Sequence, residues 1–422
     1  MKLVSIFVFI APLFIARDTS AQSLLNSLTS GALGLINNDQ PDDPCSIDYS
    51  DLFANAITDF TNRILEIVVD YEQHFVISPY SMWMALAAVA EGADGTGKDE
   101  LYEVLGLPSE SCVREAFYRT ALSLEIPDPG VQFTGKRLLI IDQHSYVIPD
   151  WERSVHETGL LDFDFDKLHP DSSEERDRPP FFRTPDIEGN SFLLDELNFV
   201  GLWTTGFAPA TTFTNFYDEN GQIVGPVELM TMTKQVRLAQ LPLVDAKVLE
   251  LPVGVAGRYT MLIAMGVNSI PIKELMSLFQ SSVILKVLNE LTLNLLPINI
   301  AIPRLIVQSD FKAKSMLQAV GVKSIWYEPD ATRYITDPPA LPEDLSQEIS
   351  ITLDTTGLNP PPADTQGNLL TGLLHAATSL TAKTASLVGR EFIANKPFTY
   401  CLLDAKTKTI IFAGVFSDPD PK

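Results

Sequence analysis

The run Gly92-Ala93-Asp94-Gly95-Thr96-Gly97-Lys98 has the glycine and lysine spacing of a loop that cradles phosphate. Such a loop needs a Ser or Thr next, to hold magnesium, and a strand before it. Here Asp99 follows, whose charge would repel phosphate, and the preceding pattern is helical. A turn between two helices is the expectation instead. The histidines His74, His144, His156, His169 and His375 stand far apart, none at a metal-ligand spacing, so no metal site is expected. Asp162, Asp164 and Asp166 alternate with Phe163 and Phe165, which puts three acids on one side of an extended segment. Nothing nearby would raise a carboxyl pKa, so a solvated strand face is expected rather than an acid–base pair. No G-x-S-x-G elbow is present, and no catalytic residue is assigned.

Three cysteines complete the inventory. Cys401 lies in the apolar run Phe398 to Leu403 and reads as a buried free thiol. Cys45 and Cys112 remain as the one pair that could bridge, and spacing does not decide whether they do.

The elements that would carry these residues follow from periodicity. Asp51 to Val69 repeats apolar residues at helical spacing, through Phe53, Ile57, Phe60 and Ile64. Phe75-Val76-Ile77 reads as a short strand, and Pro79 opens a very apolar helix over Tyr80 to Ala90. Asp99 to Leu105 reads as a short helix stopped by Gly106. Leu138 to Ile141 is apolar on both faces, as in a strand buried between two layers. Later strands are expected at Phe213 to Tyr217, Val248 to Pro252, Tyr259 to Met265, Asn294 to Pro303, Thr399 to Leu403 and Thr409 to Phe416. Helices are expected at Ile272 to Leu278 and Phe311 to Val320. Helices first and then mostly strands indicate an α+β fold. His169 to Pro185 and Tyr327 to Gly367 are rich in prolines or charge and read as long surface loops.

The chain has 422 residues and a formal net charge of −24, from 54 acidic and 30 basic residues. No Lys/Arg cluster opposes that average, so neither nucleic acid nor heparin is an expected partner. Lys2, the apolar run Leu3 to Ala16 and the small residues Thr19-Ser20-Ala21 have the pattern of a secretory signal, expected over 1–21. The alternative is a helix retained at the N-terminus. Residues 22–47, ending in Pro41-Asp42-Asp43-Pro44, read as a loosely ordered extension before a domain over 48–422. No span reaches transmembrane length, so a secreted, extracellular monomer without cofactor is expected.

Several ordered blocks together resemble the serpin family. They are Phe75 to Ser81 with Glu91-Gly92-Ala93, Asn198 to Trp203 with Phe207, Val248 to Pro252 with Tyr259 to Ile263, Ile300 to Leu305, and Ala394 to Phe398 before two closing strands. The resemblance implies three β-sheets, eight or nine helices and an exposed reactive loop shortly before Phe398. In the family a protease cleaves this loop, which then enters the large sheet as a new strand. It further implies a loop at about 384–392, with Ala385, Ser386, Leu387, Val388, Gly389, Arg390 and Glu391 exposed and Arg390 as the candidate scissile-bond residue. A trypsin-like partner suits Arg390 and a papain-like one suits Leu387-Val388, whereas a solvated surface charge is the alternative reading of Arg390.

Three departures from the family pattern stand out. With His375-Ala376-Ala377 taken as the start of the strand feeding the loop, the stretch to Pro397 is shorter than the family's. Ser386 to Phe392, fully extended at ~3.4 Å per residue, spans about 20 Å, too little to carry a protease across the domain. The alanine run of the hinge is replaced by Lys383-Thr384-Ala385-Ser386-Leu387. The helix expected across the large sheet within Asp166 to Glu196 is interrupted by Pro179-Pro180, and Tyr327 to Gly367 is an extra loop. The expected function is regulation of an extracellular protease by loop binding without full insertion. The rival is a non-inhibitory family member acting as an extracellular carrier, storage or interaction protein.

Overall fold

The structure is a computed structural model, and it describes residues 47–166, 168, 189–209, 211–268, 270–360 and 391–419. Residues Asp48–Lys422 form one compact unit. Helix α1 (Ser50–Tyr71) buries Phe53, Ile57, Phe60, Ile64 and Val68, the stripe its spacing predicts. It leads to β1 (Phe75–Ile77) and α2 (Pro79–Ala90). Every residue of α2 is buried, so the helix is apolar all round. Ser78 caps it by accepting from the Ser81 amide, with Pro79 in the first turn. Helices α3 (Gly95–Leu105) and α4 (Ser111–Ser123) follow. Gly106 closes α3 at φ +64°, a left-handed cap that suits glycine.

Next come β2 (Val131–Asp142), β3 (Tyr146–Val147), α5 (Pro149–Thr158), β4 (Asp162–Asp166) and β5 (Ser191–Leu202). The middle of the chain supplies β6 (Thr211–Tyr217), β7 (Ile223–Lys234), β8 (Arg237–Leu241), β9 (Ala246–Val253) and β10 (Tyr259–Gly266). Then come α6 (Ile272–Ser277), α7 (Ser281–Glu290), β11 (Thr292–Leu293), β12 (Ile298–Pro303), β13 (Leu305–Lys312) and α8 (Lys314–Val320). The last elements are β14 (Thr336–Asp337), β15 (Pro342–Leu353), β16 (Gly357–Leu358), β17 (Glu391–Ile393), β18 (Phe398–Asp404) and β19 (Ile410–Phe416).

The strands form three main sheets. One runs β1-β19-β18-β10-β9-β8-β11, a second β13-β15-β16-β5-β2-β4, and a third β17-β12-β7-β6; β14 pairs with β3 alone. Strands β10, β18 and β19 are buried at every residue, as strands covered on both faces must be. Helix α2 touches both β5 and β19, so it lies between the first two sheets. Phe199 joins the same core, edge-on to Phe133, Tyr259 and Phe412. The α+β architecture with three sheets and, among the described residues, eight α-helices is the fold the resemblance implied.

Several expectations need correction. Phe311 and Lys312 end β13, so the helix expected over Phe311 to Val320 starts at Lys314, and the strand expected from Asn294 starts at Ile298. The helix expected from Asp99 begins at Gly95: Asp94 is its extended N-cap residue, and the Lys98 amide donates to the Asp94 carbonyl at 3.3 Å. More consequential, Tyr327 to Gly367 is not an extra loop over its described part. Its centre is β15, a strand in the interior of the second sheet between β13 and β5. Leu345, Gln347, Ile349, Ile351 and Leu353 alternate inward from it. The flanking prolines and the polar Gln347 hide that period-two pattern in the sequence.

Candidate functional site

Two strands of the second sheet organise the candidate site. From Pro342↔Ser191 to Ile349↔Leu197, β15 pairs directly with β5 in parallel. Above that point the strands part and a third strand enters between them. Leaving Leu353, the chain turns at Asp354, whose Oδ1 accepts from the Thr356 and Gly357 amides at 2.6 and 3.2 Å. It then comes back as β16, antiparallel to β5 through Gly357↔Leu202 and Leu358↔Gly201 and to β15 through Leu353↔Leu358. A Cβ on Gly357 would collide with the Gly201 carbonyl oxygen, so only glycine lets the chain in this close.

The Trp203 block holds the turn from above. Trp203 Nε1 donates to the Asp354 carbonyl at 2.8 Å, its amide donates to Thr356 at 3.0 Å, and the Phe207 amide donates to Thr355 at 3.1 Å. Trp203 and Phe207 stand edge to face at 5.8 Å. Asn359 follows β16. Its amide donates to the Thr352 carbonyl at 2.7 Å, and its Oδ1 accepts from the Thr352 amide at 2.6 Å. Its Nδ2 donates to Phe199 O at 2.9 Å and Ser350 O at 3.1 Å. A depression of about 630 Å³ borders Asn359 and is lined by Thr134, Lys136, Glu196, Asn198, Glu348 and Ser350. That lining is polar, which does not suit an apolar cargo.

Lower down, a buried polar network ties β5, β15 and α2 together. Gln347 Nε2 donates to Asp195 Oδ2 at 2.6 Å and to the Ser78 carbonyl at 2.9 Å, and its Oε1 accepts from the Ser78 amide at 2.8 Å. Ser81 Oγ donates to the other Asp195 oxygen, and Ser78 Oγ donates to Ile411 O at 2.6 Å. Asp195 is fully buried, which pushes its carboxyl up to about 6, against the opposing pull of Ser81, Arg137 and Gln347. Arg137 is buried beside it, with Glu125 at 2.7 Å and the Leu160 carbonyl at 2.7 Å.

The loop leaves the second sheet after β16 and reaches the third sheet at β17. There Glu391, Phe392 and Ile393 pair in parallel with Asn299, Ile300 and Ala301 of β12. Phe392 is buried and Glu391 exposed. The described strands that lead toward the loop are β15 and β16; His375, taken above as the start of the feeding strand, lies outside the described residues. The connecting stretch runs over 359–390, about 30 residues, and extended at ~3.4 Å each it would span about 100 Å. Insufficient reach is thus not an obstacle to insertion. Among the residues expected in the reactive loop, Ala385, Ser386, Leu387, Val388, Gly389 and Arg390 lie outside the described residues, and Glu391 opens β17.

The turn expected over Gly92 to Lys98 is confined to Gly92–Asp94, since Gly95 to Lys98 belong to α3, and the run makes no phosphate loop. Asp162, Asp164 and Asp166 lie on β4 at the edge of the second sheet. His144 bonds Asp142 and His74 packs on Phe416, while His169 and His375 lie outside the described residues. Among the described residues no group of His, Cys, Asp or Glu gathers to hold a metal, and no helix is long and apolar enough to cross a membrane. Cys401 is free and buried, which pushes its thiol far up. Cys112 is engaged in a disulfide; Cys45 lies outside the described residues, as do the signal expected over 1–21 and the interrupted helix around Pro179-Pro180. The Asp195–Gln347 contact went unread in the sequence. Only Gln347 on an otherwise apolar inward face of β15 could have signalled it.

Comparison with known proteins gives one consistent result. The family model described as Serpin (serine protease inhibitor) matches residues 55–176 and 184–419. Iripin-5 of Ixodes ricinus is 24% identical over 367 residues, covering 81% of this chain and 88% of that protein. Intracellular coagulation inhibitor 2 of Tachypleus tridentatus is 20% identical, covering 85% of this chain and 89% of that protein. Human thyroxine-binding globulin, solved in complex with thyroxine, superposes with a TM-score of 0.74 at 14% identity, covering 88% of this chain and all of that one.

Proposed function

The chain belongs to the serpin family, and we propose that it is a secreted protein that regulates an extracellular protease by presenting its loop without driving it fully into the large sheet. The observation that carries this reading is the sequence that follows the inserted residues. Gly357 and Leu358 sit in the sheet, Asn359 follows, and the chain continues Pro360-Pro361-Pro362. A strand inside a sheet needs an N–H at each rung, and proline has none. Extending β16 by these residues would leave buried carbonyls without donors, at about 1–3 kcal/mol each. The loop is then a bait held between β16 and β17, not a spring.

Arg390 is the trypsin-like candidate and Leu387-Val388 the papain-like one. Glu391 is tied to Asn299, so a protease gripping several residues on both sides of the Arg390–Glu391 bond must first peel β17 away. Leu387 and Val388 come earlier in the sequence than Arg390, so cleavage there asks less of β17. Cys45 is the proposed partner of Cys112, which peptide mapping without reductant tests; Cys45 recovered as a free thiol would refute it.

Mixing the mature protein with a trypsin-like and a papain-like protease tests the function. The expected result is lost protease activity at modest molar excess, with no covalent band at the summed mass on a denaturing gel. Undiminished activity of both enzymes would instead favour a non-inhibitory carrier, storage or interaction protein. The same prolines, and the likeness in fold to a protein solved with thyroxine, support that second reading.

A further inference from the structure

We propose that Asn359 is a built-in stop that fixes how far the loop enters the large sheet. Where β5 and β15 part, each offers backbone groups that an entering strand would take up. Phe199 O on β5 and Ser350 O and Thr352 N–H on β15 are three of them, and the Asn359 carboxamide engages all three. A carboxamide carries both a carbonyl and an NH₂, so one side chain can stand in for a backbone rung on each side. The Asn359 amide supplies the last regular rung, to Thr352 O. Its φ of +43° then turns the chain out of the strand direction, a conformation asparagine tolerates better than most residues. Directly below, Ile349 and Leu197 are paired, so any further entry would have to break that ladder. Pro360 comes next and brings no N–H of its own.

The loop therefore enters by Gly357 and Leu358 and is closed off by a side chain that makes the bonds the next residues would have made. The stop is the same before and after a cut farther along the loop, because every group in it lies upstream of the cut. This rests on the reading of the chain as one that keeps its loop out of the sheet. It adds which residue keeps it out.

The test compares intact and loop-nicked full chain by thermal melting, for the natural sequence and for a fourfold variant, Asn359→Thr with Pro360→Ala, Pro361→Ala and Pro362→Ala. Nicking is expected to leave the natural protein's Tm within about 2 °C and to raise that of the variant by about 5 °C or more. A comparable rise in the natural protein overturns the stop, and so does a variant that gains nothing. Should the fourfold variant not fold, hydrogen exchange of Asn359→Ala decides. The Thr352 amide is expected to exchange about tenfold faster or more, with Ile349 unchanged, and an unaltered Thr352 overturns the proposal. Neither readout involves a protease complex. Failure of the regulatory reading would show separately, as undiminished protease activity.

Discussion

The same two strands, β5 and β15, are held together in two different ways along their length. At the Asp195 level they share a direct backbone ladder, and the Asp195–Gln347 pair crosses it, fully buried, with Ser78 and Ser81 completing its bonds. At the Asn359 level the ladder is gone, a two-residue strand intervenes, and one half-buried carboxamide spans the gap. The lower contact is costly to break because its groups have no water to turn to. The upper one is less costly to break, since Asn359, Ser350 and Thr352 are only partly buried, although Phe199 is buried. The sheet is thus held by its own ladder and a buried network at its base, and by one side chain at its top, where the loop joins it.

Removing the lower staple should have the largest effect. Gln347→Leu strips donors from Asp195 and the Ser78 carbonyl and an acceptor from the Ser78 amide, all in a dry site. A loss of about 3 kcal/mol or more is expected in urea unfolding, from buried groups left unpaired. A change under about 1 kcal/mol would mean that water reaches the site and that the two regions are not so different.

Next in size is the dependence on pH that the lower region contributes. Burial raises the Asp195 carboxyl to about 6 in the folded protein, above the ordinary carboxylate value. Between the two values the folded state holds a proton that the unfolded state releases. This group's contribution to stability therefore rises as pH falls from 7 through 6 towards 4, and is lost as pH rises again. Glu250 and Asp344 are also raised by burial and push the same way. The decisive quantity is the difference from Asp195→Asn, whose stability curve should be flatter over that range. Parallel curves would remove Asp195 as the source.

The smallest effect belongs to the upper region. Gly357→Val places side-chain atoms against the Gly201 carbonyl and should expel β16 while leaving the β5–β15 ladder below in place. Global stability should drop by about 1–3 kcal/mol, and the Trp203 indole, which donates to Asp354, should become more exposed to a fluorescence quencher. Unchanged quenching would show that the turn is held without β16.

Much of the fold was legible in the chain. Helical stripes such as Phe53, Ile57, Phe60 and Ile64, and wholly apolar runs such as Tyr259 to Met265, declare their elements, because burial of one face or two imposes a period. The family resemblance supplied the three sheets, though not their strand order. The loop was legible only at its far end, where Ala394 to Phe398 matched. At its near end β15 went unread as a strand, because it lies among prolines and carries Gln347 on its inward face. Prolines signal loops by local preference, whereas β15 is a strand through its place between β13 and β5.

By itself the sequence determined that this is an acidic α+β chain of serpin pattern without a nucleotide loop. It did so because charge, periodicity and motif spacing are properties of residues and their neighbours. Only the tertiary structure decided where the loop departs and what holds it there. Asn359 meets Phe199, and Gln347 meets Asp195, across more than a hundred residues of chain. Such pairings exist only once β5 and β15 lie side by side, and a hydrogen bond between distant residues leaves no spacing to read.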